Sequence, residues 1–209
     1  LVLRPLLASP PRLLAALAIL AAMAIAWTLP PWLGGLGTDS GFVAYATYWQ
    51  TNSALFRLLS AGMTWLLDTT GGASVIDVEP DMIVRFASAA IVFVLALWIA
   101  RHAEQDADAI IRRAAIVVGT LFLLSPAQFP WYASWVMVFV PLLALTSLVS
   151  LTVFLPLYYV SFYFFAIDDH DNWYPWLIWI EWIPVWVLLG IDAWREWRRP
   201  LEADLSGLD

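Results

Sequence analysis

The feature that most constrains this sequence is a series of apolar runs, each close to the length that crosses a lipid bilayer. About 20 residues of α-helix span the hydrocarbon core. Backbone groups in lipid must be hydrogen-bonded within the protein, so only helices and closed barrels can cross it. We therefore predict an all-α fold, a polytopic transmembrane helical bundle that forms a single membrane domain over residues 1–209. The predicted spans cover residues 13–30, 82–101, 110–125, 134–146, 148–167 and 173–194.

The composition supports contact with the lipid bilayer. The chain is 62% hydrophobic and 13% charged, whereas globular domains are about half apolar and a quarter charged. Its 14 tryptophans and 7 tyrosines suit two aromatic belts at the membrane interfaces. The absence of cysteine excludes disulfides and thiolate metal sites. The sequence has no Walker loop, GxSxG elbow or HExxH helix, so we expect neither soluble nucleotide chemistry nor a nucleic acid partner.

An amphipathic stretch lies between the first two spans. Residues 42–67 repeat apolar and aromatic side chains at helical spacing, interrupted by Gln50, Asn52 and Arg57. Such a pattern is typical of a helix that lies in the membrane interface. We therefore predict an external interfacial helix over about residues 42–67.

The arginines predict the orientation of the bundle. When the spans alternate in direction, eight of the ten arginines fall on one side. These are Arg4, Arg12, Arg101, Arg112, Arg113, Arg195, Arg198 and Arg199. The positive-inside rule makes that side cytoplasmic, so both termini are predicted to be cytoplasmic. This topology requires residues 136–167 to run across and back, with a turn around Thr146 and Ser147.

A proline-rich break follows the third predicted span, over residues 125–135. Irregular backbone at membrane depth occurs only in an interface or a protein-lined cavity, where it often borders a site. Its Trp131 and Tyr132 could simply be residues of an aromatic belt. Their rings could equally stack on sugars, while Gln128 hydrogen-bonds to sugar hydroxyls.

Two of the charged residues inside the predicted spans, Arg85 and Glu181, need an explanation. Arg85 either snorkels to the interface or faces a cavity that holds an anionic group. Glu181 lies in an aromatic span and needs a partner or a neutral form, and a polar group of a neighbouring helix would suffice.

Two of the acidic loops contain candidate site residues. Asp168, Asp169, His170 and Asp171 offer oxygen and imidazole ligands that would suit a divalent cation, although such a run is more often a solvated loop. Asp39 lies in a glycine-rich loop and is a weak candidate for a general base, because a lone loop aspartate is usually just solvated.

Three stretches resemble one family. Residues 121–132 (LFLLSPAQFPWY) are similar to the "LLSPTQFPWY" segment of bacterial C-type glycosyltransferases, which are mannosyltransferase-like integral membrane enzymes that use polyprenyl-phosphate sugars. Residues 45–56 (YATYWQTNSALF) resemble a "YaxxWxxNxxLF" stretch of the same proteins, and residues 179–186 resemble their last span. The three stretches occur in family order.

The resemblance implies a sugar transfer with inversion at the outer face of a bacterial inner membrane. Arg85 would neutralise the donor phosphate, and the sugar pocket would be lined by Gln128, Trp131, Tyr132, Trp49 and Asn52. Family members place a carboxylate base in an early external loop, so we expect this chain to be the C-terminal part of a longer protein, with that base before Leu1.

Two other functions remain open. A non-catalytic membrane subunit of a larger complex would fit the many tryptophans and the missing catalytic motif. A transporter would require paired interrupted spans in two halves, and the sequence contains one convincing break.

Overall fold

The computed structural model describes residues 9–35, 40–72, 77–101, 106–143 and 145–206. Within these ranges the fold is helical and has no β-strand, which confirms the predicted all-α bundle. The helices are α1 (Pro10–Leu33), α2 (Gly41–Thr47), α3 (Ala54–Thr70), α4 (Pro80–Arg101), α5 (Ala107–Leu124), α6 (Ser134–Met137), α7 (Val140–Leu143), α8 (Thr146–Phe154), α9 (Val160–Ala166) and α10 (His170–Ser206). Short 3-10 helices cover Pro130–Ala133 and Leu155–Tyr159.

Four helical segments are long and apolar enough to cross a membrane. They are α1, α4, the α8–α9 segment Thr146–Ala166 and the His170–Glu196 part of α10. They lie over the predicted spans 13–30, 82–101, 148–167 and 173–194. The chain is therefore a membrane protein, with apolar helix surface for contact with the lipid bilayer.

The other two predicted spans differ from the expectation. Helix α5 covers the predicted span 110–125 but carries Asp108, Arg112 and Arg113, and it is not among the four apolar segments. The predicted span 134–146 contains only two four-residue helices, α6 and α7. Pro141 has no N–H to donate to the carbonyl four residues earlier, which removes one helical hydrogen bond at the point where α7 begins.

The predicted interfacial helix 42–67 is divided into α2 and α3. Ser40 caps α2, because its hydroxyl accepts from the Val43 N–H at 3.3 Å. The chain then leaves the helical path, and Asn52 adopts a left-handed φ of 52°. Thr51 forms a parallel bridge with Ala127, so a tertiary contact replaces the continuation of the helix.

The core lies where α3, α5, α8 and α10 meet. Its buried members are Ala54, Phe122, Ala133, Val136, Leu151, Leu155, Ile178, Trp182 and Val185. Helices α8 and α10 pack along each other. Buried Asp192 of α10 accepts hydrogen bonds from the backbone N–H and the hydroxyl of Ser147, both at 2.8 Å, and so caps the first turn of α8. In contrast, α1 has no buried residue.

The segment between Phe129 and Tyr158 crosses the bundle and returns. The orientation predicted from the arginines requires such a path. Phe129 packs against Tyr158 with ring centroids 6.0 Å apart, whereas Ser147, between them in sequence, contacts Asp192 near the other end of α10. At that far end Arg112 of α5 pairs with Glu196 of α10 at 3.4 Å. The C-terminal part of α4, the first turns of α5 and residues 195–198 form what we call the arginine-rich end, which carries Arg101, Arg112, Arg113, Arg195 and Arg198.

Candidate functional site

The proline break forms an extended segment because each proline constrains the residue before it. Ser125 and Phe129 precede Pro126 and Pro130 and have ψ values of 134° and 147°, as expected for residues before proline. The extended backbone then pairs with the loop between α2 and α3. The Thr51 N–H donates to the Pro126 carbonyl at 3.0 Å, and the Gln128 N–H donates to the Thr51 carbonyl at 2.9 Å.

Gln128 completes the end of α5. Its side-chain amide donates to the carbonyls of Phe122 and Leu123 at 2.7 and 2.9 Å. The last carbonyls of a helix have no N–H partner within the helix. The side-chain amide of Gln128 supplies a donor to two of these carbonyls. Gln128 is 1% exposed.

Asn52 connects the same loop to α10. Its N–H donates to the Tyr174 hydroxyl at 2.8 Å, its carbonyl accepts from the Trp182 indole at 2.8 Å, and its side-chain amide donates to Glu181 Oε1 at 3.0 Å. The same amide lies 3.4 Å from the Gln128 carbonyl. We call Asn52, Gln128, Tyr174, Glu181 and Trp182 the buried polar network.

The network confirms that Glu181 pairs with a polar group from elsewhere in the bundle, although that group is on a loop rather than a helix. Glu181 is 1% exposed, and its Oε2 has no hydrogen-bond partner among the described residues. Asn52 Oδ1 and Gln128 Oε1 are likewise unpartnered there. Buried polar atoms of this kind are few in native proteins and usually coincide with a functional or strained site.

An exposed aromatic surface covers the proline break. It consists of Trp49, Phe129, Trp131, Tyr132 and Trp135. Phe129 stacks on Trp131 with centroids 4.4 Å apart, and Tyr132 stacks on Trp135 at 4.9 Å. Trp49 and Trp131 remain 47% and 53% exposed.

Tyr45 of α2 joins this surface to the preceding helix. Its ring lies 5.5 Å from that of Trp49, and its hydroxyl is hydrogen-bonded to Tyr132. Burial, followed by that hydrogen bond, raises the pKa of Tyr45 above its ordinary value. The Tyr45 phenol therefore remains protonated at neutral pH.

Arg85 lies beside the aromatic surface. Its Nη2 donates to the Trp49 carbonyl at 2.9 Å, and its guanidinium lies 5.3 Å from the centre of the Phe56 ring. Its Nε is buried without a partner, and no described carboxylate lies within salt-bridge distance of it. Arg57, the other arginine at this end, lies over the Tyr174 ring at 5.4 Å.

The predicted site residues thus gather at one end of the bundle, but two of them differ from the expected role. Trp49, Trp131 and Tyr132 form the exposed surface beside Arg85. Asn52 and Gln128 are each 1% exposed and bond to the protein itself. Both side chains lie inside the protein, where they hold the proline break and the loop before α3 together. They do not line a sugar pocket in this conformation.

The acidic loop before α10 does not assemble the predicted metal site. Asp169 accepts from the Asn172 side-chain amide at 2.6 Å and from the Trp173 indole at 2.8 Å, so its carboxylate is engaged by two side chains of the first turns of α10. His170 stacks on Tyr174 at 4.6 Å, and the Asp171 side chain is fully exposed. Asp168 has a left-handed φ of 57°. The described residues contain no group of three or more possible metal ligands. Asp39 lies outside the described residues.

Sequence reasoning missed Tyr174, Trp182 and Asp192. Nothing local to Tyr174 or Trp182 distinguishes them from belt aromatics, because their partners lie more than 120 residues away. Asp192 did have a signal, since it is a lone acid between Ile191 and Ala193 at the end of an apolar span.

Comparisons with protein-family models, with curated proteins and with solved structures found no match to this chain.

Proposed function

We propose that this chain is part of a membrane glycosyltransferase that moves a sugar from a polyprenyl-phosphate donor to an acceptor. The proposal places the reaction at the extracytoplasmic face of a bacterial inner membrane, with both termini cytoplasmic. One observation carries it. Asn52, Gln128 and Glu181, one from each of the three stretches that resemble the glycosyltransferase family, meet in one hydrogen-bonded network. If the three sequence resemblances had arisen by chance, their residues would not be expected to lie next to one another in the fold.

In this reaction the acceptor oxygen attacks the anomeric carbon, the bond from that carbon to the donor phosphate oxygen breaks, and the acceptor proton passes to a base. Negative charge develops on the departing phosphate. Arg85 is suited to stabilise it, because it is a half-buried cation and no described carboxylate lies within salt-bridge distance of it. Donors already oriented toward developing charge are among the strongest catalytic contributions.

The aromatic surface suits the sugar. Exposed ring faces of Trp49 and Trp131 can pack on the apolar C–H face of a pyranose, and the Tyr132 hydroxyl can donate to its oxygens. Glu181 does not suit the role of the base, because a carboxyl that is 1% exposed cannot reach an acceptor hydroxyl.

The Arg85→Gln variant tests the proposal. Membranes containing the protein are incubated with a labelled polyprenyl-phosphate sugar, and transfer to endogenous acceptors is measured. We expect a loss of about 10²–10³-fold, comparable to removal of one donor that stabilises developing charge. Arg101→Gln, at the other end of the same helix, should keep full activity. Transfer by Arg85→Gln at the control rate would contradict the proposal.

The alternative is a non-catalytic membrane subunit of a larger complex. The observation that favours it is α1, a 24-residue apolar helix with no buried residue. In that case Arg85→Gln and Arg101→Gln would behave alike, and transfer would depend on another protein that copurifies in fixed proportion with this chain.

A further inference from the structure

A cavity of about 470 Å³ lies between α5, α7, α8 and α10, away from the aromatic surface. Its walls are mostly apolar and include one face of α5, formed by Ala115, Ile116, Gly119 and Leu123. These positions recur every three to four residues, as expected for one side of a helix. A cavity of this size falls in the range of small-molecule and cofactor sites, about 300–1,000 Å³.

The two ends of the cavity differ in polarity. Arg112 and Glu196 line one end, at the arginine-rich end of the bundle, and their side chains are 48% and 37% exposed. Phe122 and Leu123, whose carbonyls hold Gln128, line the other end. The cavity therefore has a charged, accessible end and an apolar interior.

Its length corresponds to one leaflet of a bilayer. Arg112 and Leu123 are separated by 11 helical steps, or about 16 Å at 1.5 Å per residue. Half of a hydrocarbon core is about 15 Å. A chain that enters at Arg112 and follows α5 as far as Leu123 would thus have about the length of one leaflet.

The charge at this end fits an anionic headgroup. Arg112 and Arg113 lie in the second turn of α5, after Asp106 and Asp108, and Arg195 and Arg198 follow the apolar part of α10. Basic clusters that border transmembrane helices attract anionic lipids, and basic pockets between such helices bind their headgroups. Glu196 offsets part of this charge, but half of the Arg112 side chain is still exposed.

We propose that the cavity holds one acyl chain of an anionic glycerophospholipid whose phosphate contacts Arg112. Gly119 provides the room, because a Cβ built on it meets no atom within 4 Å. A polyprenyl phosphate offers the same phosphate chemistry, but its chain is several times longer than one leaflet is deep and exceeds the cavity. This site is separate from the one at Arg85 and does not rest on the proposed glycosyltransfer.

The headgroup is tested by native mass spectrometry of the full chain in detergent. It is titrated with phosphatidylglycerol, with phosphatidylcholine of identical acyl chains, and with polyprenyl phosphate. We expect phosphatidylglycerol to bind most tightly, and Arg112→Gln to reduce its preference over phosphatidylcholine about fivefold, the effect of one basic residue at a membrane surface. Arg101→Gln, which removes a charge at the same end without lining the cavity, should leave the preference nearly unchanged. Equal binding of both phospholipids, or polyprenyl phosphate binding that is tighter and that weakens in Arg112→Gln, would overturn the proposal.

The acyl chain is tested by filling the cavity. Gly119→Leu should reduce phosphatidylglycerol binding by about tenfold or more, since the new side chain occupies the space of several methylenes. Gly62→Leu is the matched control, because this helical glycine of α3 also has no atom within 4 Å of a built Cβ. If Gly119→Leu does not fold, Ala115→Leu fills the cavity one turn away. Unchanged phosphatidylglycerol binding in a folded filling variant would show that the lipid sits elsewhere.

Discussion

At the scale of single residues, Asn52 has the most demanding position. It combines a left-handed φ with hydrogen bonds to three residues of α10. Asparagine tolerates this backbone conformation better than most residues, because its short polar side chain can bond locally. The same side chain supplies the one amide donor that Glu181 Oε1 receives, so one residue type satisfies both requirements.

Two substitutions of Asn52 should separate the contribution of its side-chain donor from that of its left-handed backbone conformation. Asn52→Gly keeps the backbone conformation but leaves the Glu181 carboxyl without its donor, which should cost about 1–3 kcal/mol. Asn52→Ala also loses the donor but keeps a Cβ in the left-handed region without the polar group that makes asparagine tolerant there, so it should be roughly 1–2 kcal/mol less stable than the glycine variant. The free energy of unfolding in mild detergent measures both. Gln50→Ala on the same loop is the control, and an alanine variant as stable as the glycine variant would refute the backbone part of the argument.

At the scale of helices, side chains from other elements hold the helix ends in place. Gln128 completes the last turn of α5, Asp192 caps the first turn of α8, and Asp169 of the preceding loop bonds to two side chains at the start of α10. Free helix ends leave backbone groups without partners, and these are most costly where water is scarce. The short helices of this bundle are thus positioned by polar contacts between elements, as well as by apolar packing.

The Asp192–Ser147 contact should be measurable as a coupling between helices. Asp192→Ala should destabilise the bundle by about 0.5–2 kcal/mol, the usual effect of removing a helix cap. A double-mutant cycle with Ser147→Ala should give a coupling of about 0.5–3 kcal/mol, the range for residues in direct contact. Thr152→Ala, on the exposed side of the same helix, is the control because its hydroxyl bonds only within α8. Additive effects of the two substitutions would contradict the capping role.

At the scale of the whole molecule, the bundle has two chemically distinct ends. One end carries the aromatic surface, Arg85 and the loop before α10. The other is the arginine-rich end. Helix α10 connects them, since His170 contacts Tyr174 at the first end and Glu196 pairs with Arg112 at the second. A bundle with this asymmetry has a preferred direction across a membrane.

The absence of cysteine allows the orientation to be tested directly. Asp171→Cys and Asp108→Cys place one thiol at each end, at exposed positions, without changing the number of arginines. In intact cells an impermeant maleimide should label the thiol at position 171, and it should label the one at position 108 only after the membrane is permeabilised. The opposite labelling pattern would show that the positive-inside assignment is wrong for this chain.

Features that depend on local sequence were predictable. The apolar runs of α1 and α4 were predicted from their length, and the break after α5 from its two prolines. For Glu181, either a partner or a neutral form was expected, because a charged acid in a span is costly. The division of 42–67 into two helices was not predictable, because Thr51 leaves the helix to pair with Ala127, 76 residues further along the chain. The roles of Asn52 and Gln128 were misread for the same reason.

The sequence by itself determined that this is an all-α membrane protein, where its longest helices run and where the chain is broken. These properties follow from the length of apolar runs and from the missing N–H of proline, which act within a few residues. Only the tertiary structure decided which polar residues are buried, which helix end each of them completes, and where a cavity remains beside Gly119. Those outcomes depend on partners such as Asn52 and Glu181, which are 129 residues apart and become neighbours only when the helices have packed.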